Sequence, residues 1–230
     1  MTIERIKSGV PDLDRMMQGG FEKNSAVLLC GGGGSGKSIF GCQFLIEGIK
    51  NNETGIYISF EEKKEKFYQH MEGFGWDLQK LEAEGKFVFI RYTPKKMLEI
   101  VKQGGKDLKQ AVADLNAGRI VIDSLSAYAA LFSTEHEEHE MLVSLFEMVA
   151  DWECTSIVIA EDEKAIDDRK STVMGFMADS IIYLYELIRD EKMERALQIV
   201  KMRGTKHDYR IVPMKIDSKG VSVHSHETFL

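Results

Sequence analysis

Residues 31–38 read Gly-Gly-Gly-Gly-Ser-Gly-Lys-Ser. With Gly31, Gly36, Lys37 and Ser38 at the fixed positions, they spell the phosphate-binding pattern G-x-x-x-x-G-K-[ST]. A polyphosphate is held well by a ring of backbone N–H groups, and glycine lets the chain curl closely enough to make one. A helix that starts where the loop ends aims its positive end at the anion. In such a loop the Lys37 ammonium reaches the β- and γ-phosphates, and the Ser38 hydroxyl ligates Mg²⁺. The expected ligand is a nucleoside triphosphate with its magnesium ion.

Three more groups have the chemistry to work on that ligand. Asp123 ends the apolar run Ile120-Val121-Ile122. Open α/β sheets gather ligand groups at such strand ends, and a carboxylate there can orient Mg²⁺ through coordinated water. The competing reading makes Asp123 a cap for the turn at Ser124-Leu125-Ser126. Glu61 and Glu62 follow the strand-like run 55–60. Hydrolysis of a γ-phosphate needs an aligned water, which a carboxylate can hold and deprotonate. Alternation along a strand sends the two carboxylates opposite ways, so Glu61 takes the direct role and Glu62 the supporting one. A solvated helix start, Glu61-Glu62-Lys63-Lys64, is the plain alternative. Lys201 and Arg203, one residue apart at a strand end, point to one side. They could stabilise γ-phosphate charge in their own site or a neighbouring subunit's; otherwise they are an exposed basic strand end. His136 and His139 share a helix face, but their four glutamate neighbours mark a solvated first turn rather than a metal site.

These residues need a scaffold, and the hydrophobic pattern supplies one. Apolar runs at 26–30, 55–60, 87–90, 120–123 and 156–160 read as buried strands. Helical spacing follows at 39–49, at 97–116 with a break at Gly104-Gly105, and at 134–152. Thr134 and Glu137 form a capping box for the last of these. A short helix precedes the first core strand, between Pro11 and Gly19. After a charged loop at 161–169, closely spaced strands at 181–187, 196–201, 211–216 and 221–224 read as antiparallel. The prediction is an α/β fold with a mostly parallel central sheet flanked by helices and a β-rich C-terminal extension, one domain over residues 1–230.

Composition narrows the function. With 43% hydrophobic residues in 230, the chain can bury a sizeable core. Lys and Arg number 30 against 37 Asp and Glu, and this acidic balance disfavours default nucleic-acid binding. No apolar run approaches the roughly 20 residues of a membrane span, and Met1 to Lys7 lacks a signal-peptide core, so a cytoplasmic protein is expected. Cys30, Cys42 and Cys154 lie far apart and read as reduced core thiols. Trp76 and Trp152 read as packing residues.

The chain resembles the KaiC-like ATPases of the RecA superfamily, especially the single-domain forms common in archaea. The resemblance runs through Ser8-Gly9-Val10-Pro11, the phosphate loop, Ser59-Phe60-Glu61-Glu62 and Phe74-Gly75-Trp76-Asp77-Leu78. It continues through Val121-Ile122-Asp123-Ser124-Leu125-Ser126 and Lys201-Met202-Arg203-Gly204-Thr205-Lys206-His207. It implies a RecA-like P-loop NTPase fold and ATP bound between subunits of a ring, commonly a hexamer, whose ATP state drives assembly or a regulatory protein partner. Gly33, Gly34, Ser35, Gly36, Lys37, Ser38 and Ile39 would hold the phosphates. Ser38 and Asp123 would serve the metal. Glu61 and Glu62, with Lys37, match the catalytic groups. Lys201, Met202, Arg203, Thr205 and His207 match the segment that reaches a neighbour's nucleotide, and Asp217 and Ser218 a contact near the adenosine. Two alternatives stay open: a non-hydrolysing ATP-controlled switch and a DNA-handling relative. The chain also departs from the two-domain circadian members. Its stretch Gly175-Phe176-Met177-Ala178-Asp179-Ser180 lacks their adjacent Ser and Thr phosphoacceptors, and Gly33 stands where many relatives have Pro.

Overall fold

A computed structural model describes residues 3–162, 177–189 and 191–229. Most of the charged loop at 161–169, and Gly175 and Phe176 of the stretch that lacks the phosphoacceptors, lie outside the described residues. The first elements are a two-stranded antiparallel ribbon of β1 (Arg5–Ile6) and β2 (Phe21–Glu22), with helix α1 (Leu13–Met16) between them. Then come β3 (Ala26–Gly31), α2 (Lys37–Lys50), β4 (Thr54–Ser59), α3 (Lys64–Glu72), α4 (Leu78–Ala83) and β5 (Phe87–Arg91). The next group is α5 (Pro94–Lys102), α6 (Lys106–Asp114), β6 (Ala117–Asp123), α7 (Leu125–Ala129), α8 (Glu135–Ala150) and β7 (Thr155–Glu161). The last strands are β8 (Ser180–Arg189), β9 (Lys192–Met202), β10 (Val212–Asp217) and β11 (Gly220–Val223).

Among the described residues, nine strands form one sheet in the order β11-β10-β9-β8-β3-β7-β6-β4-β5. The block from β8 to β5 is parallel, and β9, β10 and β11 extend it antiparallel. The expected mixed architecture holds, with one correction. The run at 181–187 reads as antiparallel by spacing, yet β8 pairs parallel with β3, Leu28 opposite Ile181. Strand spacing reports only the short connection that follows β8, and that connection does make an antiparallel pair with β9.

Strand alternation sorts the core into two layers. Val27, Leu29, Tyr57 and Val121 face the side covered by α1 to α4, packing with Phe40, Phe44 and Phe67. Leu28, Cys30, Ile56, Ile58, Ile120 and Ile122 face α5 to α8, packing with Met97, Leu108, Leu125 and Leu145. Because both faces are covered, the strands read as continuous apolar runs. Gly104 and Gly105, with φ of 76° and 60°, separate α5 from α6 as the sequence suggests. Thr134 caps α8 by accepting the Glu137 N–H at 3.3 Å. Cys30, Cys42 and Cys154 are buried, with no disulfide among the described residues, and burial pushes the Cys154 thiol up to about 11. Trp152 is buried, whereas Trp76 is only partly so and stacks on Phe74 with ring centroids 5.3 Å apart. No described helix is long and apolar enough to cross a membrane.

Candidate functional site

Parallel pairing brings four strand ends to one edge. Gly31 at the end of β3 lies opposite Glu161 at the end of β7. Ser59 at the end of β4 lies opposite Asp123 at the end of β6. The loop from Gly31 rises over this edge and enters α2 at Lys37. The result is a hollow of about 300 Å³ lined by Gly34, Gly36, Lys37, Ser38 and Ile39 of the loop and helix start. Glu61, Glu62, Asp123 and Glu161 form its far wall.

The loop has the shape that anion binding requires. Gly34 and Gly36 take φ of 82° and 100°, in the left-handed region that glycine enters freely. Gly36 caps α2 with no side-chain hydrogen bond, so the first-turn N–H groups of the helix are left for an anion. Ser35 is fully buried, and its hydroxyl has no hydrogen-bond partner among the described residues. Lys37 Nζ donates to the carbonyls of Gly31 at 2.8 Å and Gly32 at 2.7 Å, which folds the ammonium under the loop. Burial lowers the Lys37 pKa, and the carboxylates of Glu161 and Asp123 oppose that shift. Gly33 differs from its neighbours: a Cβ there would meet nothing within 4 Å. A Cβ on Gly36 would lie 2.6 Å from Ile216 Cδ1 and would force a left-handed φ on alanine. Gly36→Ala should therefore cost at least about 1 kcal/mol, while Gly33→Ala should change stability by less than about 0.5 kcal/mol. Urea denaturation of the two variants checks this, and equal costs would contradict the loop geometry.

The oxygen donors suit Mg²⁺, which is held by one or two carboxylates together with phosphates and water. Ser38 Oγ donates to Asp123 Oδ2 at 2.7 Å, tying the helix start to the end of β6. Tyr57 Oη donates to the same oxygen at 2.5 Å. Burial, reinforced by the Asp123 charge, holds the Tyr57 phenol well above its ordinary pKa, so it stays a donor.

Glu61 and Glu62 both line the hollow, contrary to the alternation argument. They lie beyond Ser59, where β4 has ended and period-two alternation no longer applies. What separates them is support. Glu62 is fixed: its N–H donates to Ser59 Oγ at 3.0 Å, and its carboxylate pairs with His70 Nδ1 at 2.9 Å. Glu61 is exposed and has no side-chain partner among the described residues.

The basic segment lies elsewhere. Met202 at the end of β9 pairs with Ser180, the first residue of β8, and Ser180 pairs with Val27 near the start of β3. Lys201, Met202 and Arg203 therefore sit at the opposite end of the sheet from Ser38, away from the chain's own phosphate loop. Lys201 Nζ donates to Ala178 O at 2.7 Å, and Arg203 pairs with Asp179 at 3.3 Å. Burial, with Arg203 alongside, lowers the Lys201 pKa. Thr205 Oγ1 accepts from Arg5 at 2.7 Å, and His207 Nδ1 lies 3.3 Å from Thr205 O. Asp217 and Ser218 open the β10–β11 turn, with Asp217 accepting from Lys219 N at 2.7 Å. Asp217 lines a smaller hollow of about 230 Å³ with Gln43 of α2 and Trp76, separate from that of the phosphate loop. His136 pairs with Glu140 at 3.5 Å, and no group of three metal-ligating side chains occurs among the described residues.

Sequence reasoning missed Tyr57, Glu161 and His70. Glu161 was findable, since it ends an apolar strand as Asp123 does. Tyr57 reads as one more core aromatic, and nothing in the spacing ties His70 to Glu62.

A sequence model of the family "ATPase: KaiC" matches residues 6–228. The chain belongs to the KaiC ATPase family. It is 34% identical to the circadian clock protein KaiC3 of Synechocystis, over 96% of this chain and 46% of that protein. The chain thus spans about half the length of that relative. It is 32% identical to a UPF0273 protein of Pyrococcus furiosus, over 96% of this chain and 94% of the relative. The crystal structure of a KaiC-like protein from Pyrococcus horikoshii superposes with a TM-score of 0.85 at 30% identity, covering 97% of this chain and all of that one. KaiC membership establishes a RecA-like fold and a nucleotide-binding ATPase scaffold.

Proposed function

We propose that this KaiC family member binds Mg·ATP at the Gly31–Ser38 loop and hydrolyses it to ADP and phosphate. The observation that carries the reading is the Ser38–Asp123 hydrogen bond at 2.7 Å beside Lys37 and Glu61, on a single hollow. Loop N–H groups and Lys37 would hold the phosphates, and Ser38 and Asp123 would hold the metal. Bound Mg²⁺ supplies charge neutralisation at the β- and γ-phosphates. Glu61 accepts a proton from the attacking water as its oxygen bonds to the γ-phosphorus. The bond from that phosphorus to the bridging oxygen breaks, leaving ADP. Glu62, anchored by His70 and Ser59, keeps the Glu61 turn in place. Because Lys201 and Arg203 stand at the far edge of the sheet, they would serve the site of a neighbouring copy. That arrangement favours a head-to-tail ring, commonly a hexamer in this family, with ATP governing assembly or engagement of a protein partner.

Lys37→Ala tests the site. Removing charge-assisted bonds to the phosphates should weaken binding of a fluorescent ATP analogue by about 10–100-fold. Phosphate release should fall in parallel. Unchanged binding would move the nucleotide away from this loop. Light scattering with and without ATP reads assembly in the same samples.

A further inference from the structure

Tyr57 is 1% exposed, and its ring packs against Phe67 and Phe89 with centroids 4.3 and 5.8 Å away. A tyrosine so placed needs no hydroxyl for packing, and phenylalanine would fill the same space. Its hydroxyl nevertheless reaches Asp123 Oδ2 at 2.5 Å, the oxygen that also accepts from Ser38 at 2.7 Å. Two donors from different elements on one oxygen fix the carboxylate's rotation and leave its second oxygen turned from both. Of the two donors, Ser38 is itself a proposed metal ligand, so its hydrogen bond is tied to metal binding. Tyr57 comes from β4 beneath the site and is not itself a proposed metal ligand.

We infer that Tyr57 is a positioning residue whose hydroxyl sets the Asp123 carboxylate for Mg²⁺, an inference that rests on the nucleotide-site reading above. Groups that orient a metal ligand from behind are typically worth about 10–100-fold in metal affinity or activity. The effect should appear in the magnesium requirement and not in the metal-independent grip on phosphate, which belongs to the loop and Lys37.

The test is equilibrium binding of a fluorescent ATP analogue titrated with free Mg²⁺, for wild type, Tyr57→Phe and Phe67→Leu. Tyr57→Phe should raise the half-saturating Mg²⁺ about tenfold or more while changing binding in EDTA by less than about twofold. Phe67→Leu disturbs the same aromatic cluster but keeps the hydroxyl. It should lower the melting temperature and leave the magnesium midpoint near wild type. An unchanged midpoint in Tyr57→Phe overturns the inference, as does an equal shift in Phe67→Leu. Wild-type protein with no magnesium-dependent nucleotide binding overturns the nucleotide-site reading itself, and the inference with it.

Discussion

Glu61→Gln should abolish most phosphate release while leaving ATP bound. The substitution keeps the size of the side chain and removes only its ability to take a proton from water. General-base catalysis is worth about 10²–10⁴-fold, so turnover should fall by that factor. Binding of a fluorescent ATP analogue should stay near wild type, because the loop N–H groups, Lys37 and Ser38 are untouched. Glu62→Gln provides the contrast. Glu62 is held by the Ser59 hydroxyl and His70, so its loss should act through the placement of Glu61 and cost less. A Glu62 variant more damaged than the Glu61 variant would exchange the two roles. A protein that retains full turnover in Glu61→Gln would need another base, and Glu62 and Glu161 are carboxylates on the same wall.

The second large effect belongs to Arg203. A cation delivered to the γ-phosphate from a neighbouring subunit is worth about 10³–10⁵-fold in phosphoryl transfer. Arg203→Ala should therefore reduce turnover by about a thousandfold or more, although the residue stands at the opposite sheet edge from its own phosphate loop. Its ion pair with Asp179 is largely exposed and of little worth to stability. Melting temperature should hence change little, which separates a lost catalytic cation from a damaged fold. Arg203→Lys keeps the charge but loses the planar fork and should restore only part of the rate. Full activity in Arg203→Ala would leave the segment a structural strand end.

Much of this site could be read from the chain before its fold was known. Gly36, Lys37, Ser38 and Asp123 are legible because a phosphate loop needs fixed spacing, and because an apolar strand that stops at a carboxylate marks a sheet edge. The break at Gly104-Gly105 and the cap at Thr134 are legible because they depend on backbone geometry local to a few residues. What escaped depends on how the elements pack. The parallel pairing of β8 with β3 joins residues about 150 positions apart in the chain, and strand spacing carries no information about it. Tyr57 and Asp123 are 66 positions apart, and only the β4–β6 register brings the phenol under the carboxylate. His70 meets Glu62 because α3 turns back over the end of β4, which no spacing rule encodes. The alternation argument for Glu61 and Glu62 failed for a local reason: β4 stops two residues too early for it to apply.

The most direct test of the account mixes two inactive proteins. Glu61→Gln keeps Arg203 but lacks the base, and Arg203→Ala keeps Glu61 but lacks the cation. If each nucleotide lies between copies, a mixed ring contains interfaces with both groups intact. Random assortment at equal amounts makes about a quarter of head-to-tail interfaces complete. Phosphate release from the mixture should then rise far above that of either variant alone, toward about a quarter of the wild-type rate. Activity of the mixture that merely averages the two variants would contradict a site shared between copies and confine the chemistry to a single chain.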